Sequence, residues 1–362
     1  MPKIDPWSSE AITDYEHIFK EFGLERFPEQ WKQKLEKNHL FRRGVIIAHR
    51  DFGKVMKRIE EKKPFINMTG IASSGRYHLG HKVDIDLFLF FKSLGAKNYF
   101  CISDIDAYCS RPDDKVGSME KAKEIAVQNT AHALALGLDE KDIYVQSNYK
   151  RKYYEFTFEL SKKITGNTFE AVYGHVDLGK ISAAILQYAD ILHAQLPEFE
   201  GMMPSITGIG LDQDPHARLA RDIAKRLPYK MEMPSFIYFR HQSGLKEGTK
   251  MSSSDPFSAI FLDDSEEDIE RKIKKAFSGG KDTAEEQRKN GANPDICKVC
   301  ELLTFHLDDD KKLQKILEEQ RSGKELCGPV KEFAAEFLIE KLKKHQVKVK
   351  QNLKKAEKIV FG

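Results

Sequence analysis

The sequence predicts an α/β chain, a doubly wound parallel sheet followed by an all-helical C-terminal domain. Three observations carry that reading. Apolar, β-rich runs alternate with helical stretches from Pro64 to about residue 265, the order that winds a parallel sheet on both faces. A Gly/Ser-rich turn separates the first such run from its helix, the place where sheets of this kind collect nucleotides. After about residue 265 the strand signal fades, and apolar residues recur at three- and four-residue spacing, which is helical periodicity.

Taken in order, residues 10–60 are charged and mostly helical in pattern, with Phe41-Arg42-Arg43-Gly44 ahead of the apolar run Val45-Ile46-Ile47. Residues 1–60 read as an extension leading into the core. The sheet domain, 61–265, opens with the strand Phe65–Thr69, the turn Gly70–Gly75 and a helix from His78 to Leu94; Gly95 stops that helix, and Tyr99–Ser103 is the second strand. Residues 119–137 read as a helix closed by Gly137, Ile143–Gln146 as a short strand and Tyr153–Ile164 as a helix. Helices over Glu267–Phe277, Lys311–Arg321 and Pro329–Lys358, separated by Gly279-Gly280, Gly291, Gly323 and Gly328, fill residues 266–362.

Composition narrows the possibilities. The 362 residues are enough for a sizeable core in two domains, and 40% hydrophobic content argues against disorder. With 59 basic against 56 acidic side chains the net charge is +3, which excludes a polybasic coat protein. No apolar run approaches the roughly 18 residues of a spanning helix, so no membrane segment is expected. The N-terminus lacks a secretory pattern and five cysteines cannot all pair in one chain, so the expected location is the reducing cytoplasm. Charge is uneven, however: residues 331–362 hold nine lysines against four glutamates. That end is either a solvated helix face or a polyanion contact through Lys341, Lys343, Lys344, Lys348, Lys350, Lys354 and Lys355.

Two loops carry chemistry. The first, Thr69-Gly70-Ile71-Ala72-Ser73-Ser74-Gly75-Arg76-Tyr77-His78-Leu79-Gly80-His81, leads into a helix whose N-terminus offers N–H groups and a positive dipole end to phosphate. His78 and His81, three apart, share one side of the first turn and can donate to charge developing on a phosphate; a lone pair of this kind is more often structural. The second, Gly248-Thr249-Lys250-Met251-Ser252-Ser253-Ser254-Asp255-Pro256, sets a lysine point charge beside small hydroxyl residues, as a phosphate clamp requires. Together, in this order, the loops are an improbable coincidence.

At this point the chain resembles a class I aminoacyl-tRNA synthetase, with His78–His81 matching the HIGH motif and Lys250–Ser254 the KMSKS motif. It is similar to tryptophanyl-tRNA synthetases of the archaeal and eukaryotic type through Asp5-Pro6-Trp7, Phe41-Arg42-Arg43-Gly44, His49-Arg50-Asp51, Asp212-Gln213-Asp214-Pro215, Arg221-Asp222 and Phe277-Ser278-Gly279-Gly280. The resemblance implies a Rossmann-like catalytic domain and a helical anticodon-binding domain. It also implies ATP with Mg²⁺, tryptophan and tRNA(Trp) as partners, and a homodimer. Thr69, Gly70, Ser73, Ser74, His78, His81 and Met251 would line the ATP side, with Gly80 giving adenine clearance and Asp212 and Gln213 at the ribose and adenine end. Lys250, Ser252 and Ser253 would hold pyrophosphate; Ser253 stands where the motif has its second lysine.

The amino-acid pocket departs from the eukaryotic pattern, with Met68 in place of a tyrosine and Cys101 in place of a glutamine. Gln187-Tyr188-Ala189-Asp190-Ile191-Leu192 resembles the bacterial tryptophanyl helix whose aspartate accepts the indole N–H, and indole is a donor only. Asp106 and Gln187 fall where the family meets the substrate ammonium. The same Gln-x-x-Asp pattern occurs in tyrosyl enzymes, so a tyrosyl-tRNA synthetase remains an alternative, as does a synthetase-like binding protein without catalysis. Cys297, Cys300 and Cys327 resemble an incomplete zinc site with His306 the one candidate fourth ligand, and no metal is expected.

Overall fold

The structure, a computed structural model, describes residues 15–175, 177–248, 251 and 255–362. Lys250, Ser252 and Ser253 of the second loop, and Asp5-Pro6-Trp7, lie outside the described residues. Its centre is a seven-stranded sheet: β1 (Glu25–Arg26), β2 (Ile46–Arg50), β3 (Ile66–Ala72), β4 (Lys97–Ser103), β5 (Ile143–Val145), β6 (Ser205–Gly210) and β7 (Ser235–Phe239). The order across the sheet is β1-β2-β7-β6-β3-β4-β5. The five strands from β7 to β5 are parallel, in register Met68↔Tyr99 between β3 and β4 and Gly208↔Ile237 between β6 and β7.

The chain winds outward from β3 in one direction through β4 and β5, then returns to β6 on the other side. The crevice beyond the carboxyl ends of β3 and β6 is therefore the switch point where ligands bind. β3, β4 and β7 are nearly continuous buried runs, as strands covered on both faces must be.

Several features, the strand β7 among them, were not in the sequence reading. The N-terminal segment, expected as a mostly helical extension, also supplies β1 and β2, which extend the sheet antiparallel to β7. β6 is Ser-Ile-Thr-Gly-Ile-Gly, too glycine-rich to announce a strand.

Helix boundaries follow their caps. Ser118 accepts from Lys121 N–H at the start of Met119–Leu136, and Gly137 ends that helix with φ of 116°. Asp177 accepts from Lys180 N–H to begin Leu178–His193. The last helix, Cys327–Phe361, runs 35 residues. Its Leu338, Leu342 and Val349 share one apolar cluster with Ala126, Val127 and Leu134 of the helix 119–136 and with Phe100 and Ile102 of β4. The helical region thus packs on the sheet's own flank through a continuous core. Along this helix Lys341, Lys343, Lys344 and Lys355 pair with Asp308, Glu266, Glu340 and Glu140. Lys348, Lys350 and Lys354 are exposed and make no ion pair among the described residues.

Candidate functional site

A cavity of about 850 Å³ opens at the switch point. Into it face most of the residues expected at the site: Met68, Thr69, Gly70, Ser74, His78, Gly80, His81, Asp106, Gln187, Asp190, Asp212, Gln213 and Met251. Ser73 stands behind the wall, fully buried, its N–H donating to Ser103 O at 3.1 Å.

Along one side runs the turn from β3 into the helix Leu79–Ser93. A Cβ at Gly70 would lie 2.6 Å from the Cβ of Cys101 and 2.8 Å from its carbonyl oxygen, so only glycine lets β3 and β4 approach here. His78 is the helix N-cap residue, and its ring stacks on that of His81, centroids 3.8 Å apart. His81 Nδ1 accepts from His78 N–H at 3.2 Å, which puts the His81 proton on Nε2. Burial, with the nearby Arg111 charge, lowers the His81 pKa to about 4. The ring is therefore a neutral hydrogen-bond donor at physiological pH. A Cβ at Gly80 would lie 2.9 Å from the His78 ring, so Gly80 gives that imidazole its room. On the far side His241 Nε2 meets Asp212 Oδ1 at 2.7 Å, and a Cβ at Gly210 would strike the His241 ring at 2.2 Å.

The other end is a polar cage. Asp190 is buried at 4% exposure. Its Oδ1 accepts from the hydroxyls of Tyr144 and Tyr153, each at 2.7 Å, and from the Cys101 thiol at 3.6 Å, while Oδ2 accepts from Gln146 Nε2 at 2.8 Å. Desolvation raises the Asp190 pKa to about 6, opposed by those hydrogen bonds from Tyr153, Tyr144 and Gln146. Burial keeps the Cys101 thiol and both phenols protonated, hence donors. A carboxylate has about four lone-pair sites, and Oδ2 carries one donor where Oδ1 carries three. One acceptor position is left on Oδ2. Asp106 accepts from Ser110 Oγ at 3.1 Å; burial raises its pKa, opposed by Arg111, Ser110 and Gln187. Asp106 and Gln187 are thus neighbours, as the sequence suggested.

Several wall residues escaped the sequence reading. Arg111 and Lys115 bring cationic groups to the cavity. Asp84 lines it too, its carboxyl pushed well up by burial and by Asp212. His216, whose Nδ1 meets the Tyr173 hydroxyl at 2.7 Å, is lowered by burial to about 3. Asp84 is three residues beyond His81, one helical turn along, and that spacing is the signal that was there to be used. Elsewhere, Cys297 caps the helix Lys298–His306, its sulfur accepting from Cys300 N–H at 3.5 Å. Among the described residues no group of three or more His, Cys, Asp or Glu side chains is placed to hold a metal ion.

Comparison with known proteins decides the family. The family described as tRNA synthetases class I (W and Y) matches residues 60–343, a span that contains every residue of the cavity wall. A protein named tryptophan–tRNA ligase from Hyperthermus butylicus is 40% identical over 95% of this chain and 94% of its own length. One of the same name from Methanocaldococcus jannaschii is 38% identical over 100% and 99%. The crystal structure of tryptophanyl-tRNA synthetase from Aeropyrum pernix K1 superposes with a TM-score of 0.87 at 37% identity, covering 99% of this chain and 98% of that one. The chain belongs to the tryptophanyl-tRNA synthetase family. A tryptophanyl-tRNA synthetase from Encephalitozoon cuniculi, solved bound to tryptophan, has a TM-score of 0.82 at 28% identity over 96% of this chain. Within the tryptophanyl-tRNA synthetase fold, then, this chain keeps both the β3 turn and a separate polar cage in one continuous cavity.

Proposed function

We propose that the protein activates tryptophan with ATP, giving tryptophanyl-adenylate and pyrophosphate, and passes the tryptophanyl group to the terminal adenosine of tRNA(Trp). The observation that supports this most is the single cavity with an anion-binding helix start at one end and a buried carboxylate cage at the other. Those are the needs of a phosphate donor and of an amino acid with one side-chain donor. The tryptophan carboxylate attacks the α-phosphate, so no covalent nucleophile on the protein is required. Catalysis is positional and electrostatic. His81 donates from Nε2 to the phosphate oxygens, His78 holds that ring in place, and Lys250 with Ser252 and Ser253 clamps pyrophosphate. Arg111 and Lys115 supplement the one motif lysine. At the other end Asp190 Oδ2 accepts the indole N–H, and Asp106 with Gln187 receives the ammonium.

Mg²⁺ would enter on the ATP phosphates, since the described residues present no ready-made ligand cluster. The exposed lysines Lys348, Lys350 and Lys354, without an ion pair among the described residues, suit the tRNA backbone. Exposed Phe158 and Leu178, on neighbouring helices, suit the contact of a homodimer. Five cysteines without a disulfide suit a cytoplasmic location.

The test is amino-acid-dependent pyrophosphate exchange. Stimulation by tryptophan well above that by tyrosine is expected; equal or greater stimulation by tyrosine would sink the tryptophan assignment, and none by either would leave a binding protein.

A further inference from the structure

The turn that carries His78 and His81 does not stand alone. Residues Tyr77–Leu79 pair antiparallel with Ile260–Leu262: Leu79 N–H donates to Ile260 O at 3.0 Å, and Leu262 N–H to Tyr77 O at 2.8 Å. The partner segment, 258–264, lies just after the Lys250 loop in the sequence. The segment is pinned from outside by charge. Arg76 meets Asp263 and Asp264 at 2.7 and 3.1 Å, and buried Lys272 meets Asp264 at 2.5 Å.

It is also pinned from the far end of the chain. Gln346, on the long C-terminal helix, donates from Nε2 to Leu262 O at 3.2 Å and to Asp264 O at 2.9 Å. Its neighbour His345 shares a 2.8 Å hydrogen bond between its Nε2 and Nδ1 of buried His132. The His132 ring lies 5.8 Å from Tyr77, and Tyr77 lies 5.1 Å from His81. A glutamine amide one turn from Lys343 and Lys350 thus hydrogen-bonds two main-chain carbonyls of the segment bridged to the ATP-side turn.

We propose that Gln346 and His345 are positioning residues for the nucleotide site: through them the lysine-rich helix fixes segment 258–264, and with it the turn bearing His78 and His81. The proposal rests on reading this cavity as an ATP site. It predicts that a change on a helix outside the cavity alters ATP binding and spares tryptophan binding, because the hydrogen bonds that hold Asp190 come from Tyr144, Tyr153, Cys101 and Gln146 and not from segment 258–264.

Gln346→Leu removes both donors at similar volume, and Gln346→Lys returns a donor. In titration calorimetry on the full chain, Gln346→Leu should weaken ATP binding about three- to tenfold, the worth of one or two net hydrogen bonds. Tryptophan binding should stay within about twofold, and Gln346→Lys should restore ATP binding most of the way. Amide exchange across 77–79 and 258–264 should quicken in the leucine variant. The proposal is overturned if ATP binding stays within about twofold, if ATP and tryptophan binding weaken equally, or if lysine restores nothing. Should Gln346→Leu fail to fold, His345→Phe, which keeps ring packing and loses the bond to His132, carries the same test. A wild-type protein that bound no ATP would instead sink the functional reading. The linkage would then be decided by amide exchange, where unchanged rates across 77–79 overturn it.

Discussion

The two ends of the cavity are built on different plans. The end proposed for the nucleotide draws mostly on one contiguous stretch, Thr69 to His81, and on what its backbone offers: a helix start, close-approaching glycine and a stacked imidazole pair. The end proposed for the amino acid is assembled from side chains on separate elements, with Met68 on β3, Cys101 on β4, Tyr144 on β5, Gln146 just after β5, and Tyr153 and Asp190 on two helices. Phosphate asks only for N–H groups and positive potential, which a single loop can give. On the proposed reading, a buried carboxylate that takes one indole N–H must be held charged by donors from all around it, and no single segment can supply those.

That contrast can be broken by experiment. The largest effect is expected from His81→Ala, which should slow tryptophan-dependent pyrophosphate exchange by about 10²-fold or more while leaving tryptophan affinity unchanged. A loss under about threefold, below one kcal/mol of barrier, would show that the nucleotide end does not depend on this ring. Next, Asp190→Ala should raise the tryptophan requirement about tenfold or more, with the ATP requirement unchanged; if only the melting temperature moved, the cage would be structural. Gly70→Ala sits where both plans meet. Its Cβ would press on Cys101 from within β3, so both substrate requirements should rise about threefold or more together; a response at one end alone would show the ends to be independent.

The smallest effect at neutral pH, and the sharpest in pH dependence, is expected from Tyr153→Phe. Asp190 is raised to about 6, so tryptophan affinity should fall as pH drops through about 6 and the carboxylate gains a proton. Removing the Tyr153 hydroxyl takes away a donor to the charged form, so in the variant the fall should begin at higher pH. His81, lowered to about 4, stays neutral over the same range and adds no acid limb of its own to ATP binding. An acid limb that does not move in Tyr153→Phe would assign it to another group. The stability sign follows. A carboxyl raised on folding contributes most below its unfolded value, and that contribution is lost as pH rises through about 6.

The same contrast explains what was legible in the sequence. The turn after β3, the helix from Leu79, the cap at Gly137 and the helices after residue 265 were readable, because each rests on local chemistry: glycine, a capping residue, apolar spacing. Tyr144, Gln146 and Tyr153 were passed over because nothing within a few residues marks a tyrosine as aimed at a carboxylate some forty positions later. β6 was missed since its Gly208 and Gly210 serve contacts with Leu87 and His241, not strand propensity. Nothing in the sequence around Arg111 and Lys115 marks them as cavity residues. Asp190, Met68 and Cys101 were named through resemblance, and the donors Tyr144, Gln146 and Tyr153 were not.

Two strands, β1 and β2, lie outside the family match. β2 ends at Arg50, ten residues before the matched span begins at residue 60, and it pairs along β7, whose Ser-Phe-Ile-Tyr-Phe is buried from end to end. A chain trimmed to the matched region would leave those main-chain N–H and C=O groups open along an apolar strand. Such an edge recruits whatever strand is nearest, usually another copy of itself. The stretch that identifies the family is therefore shorter than the stretch that keeps it from aggregating.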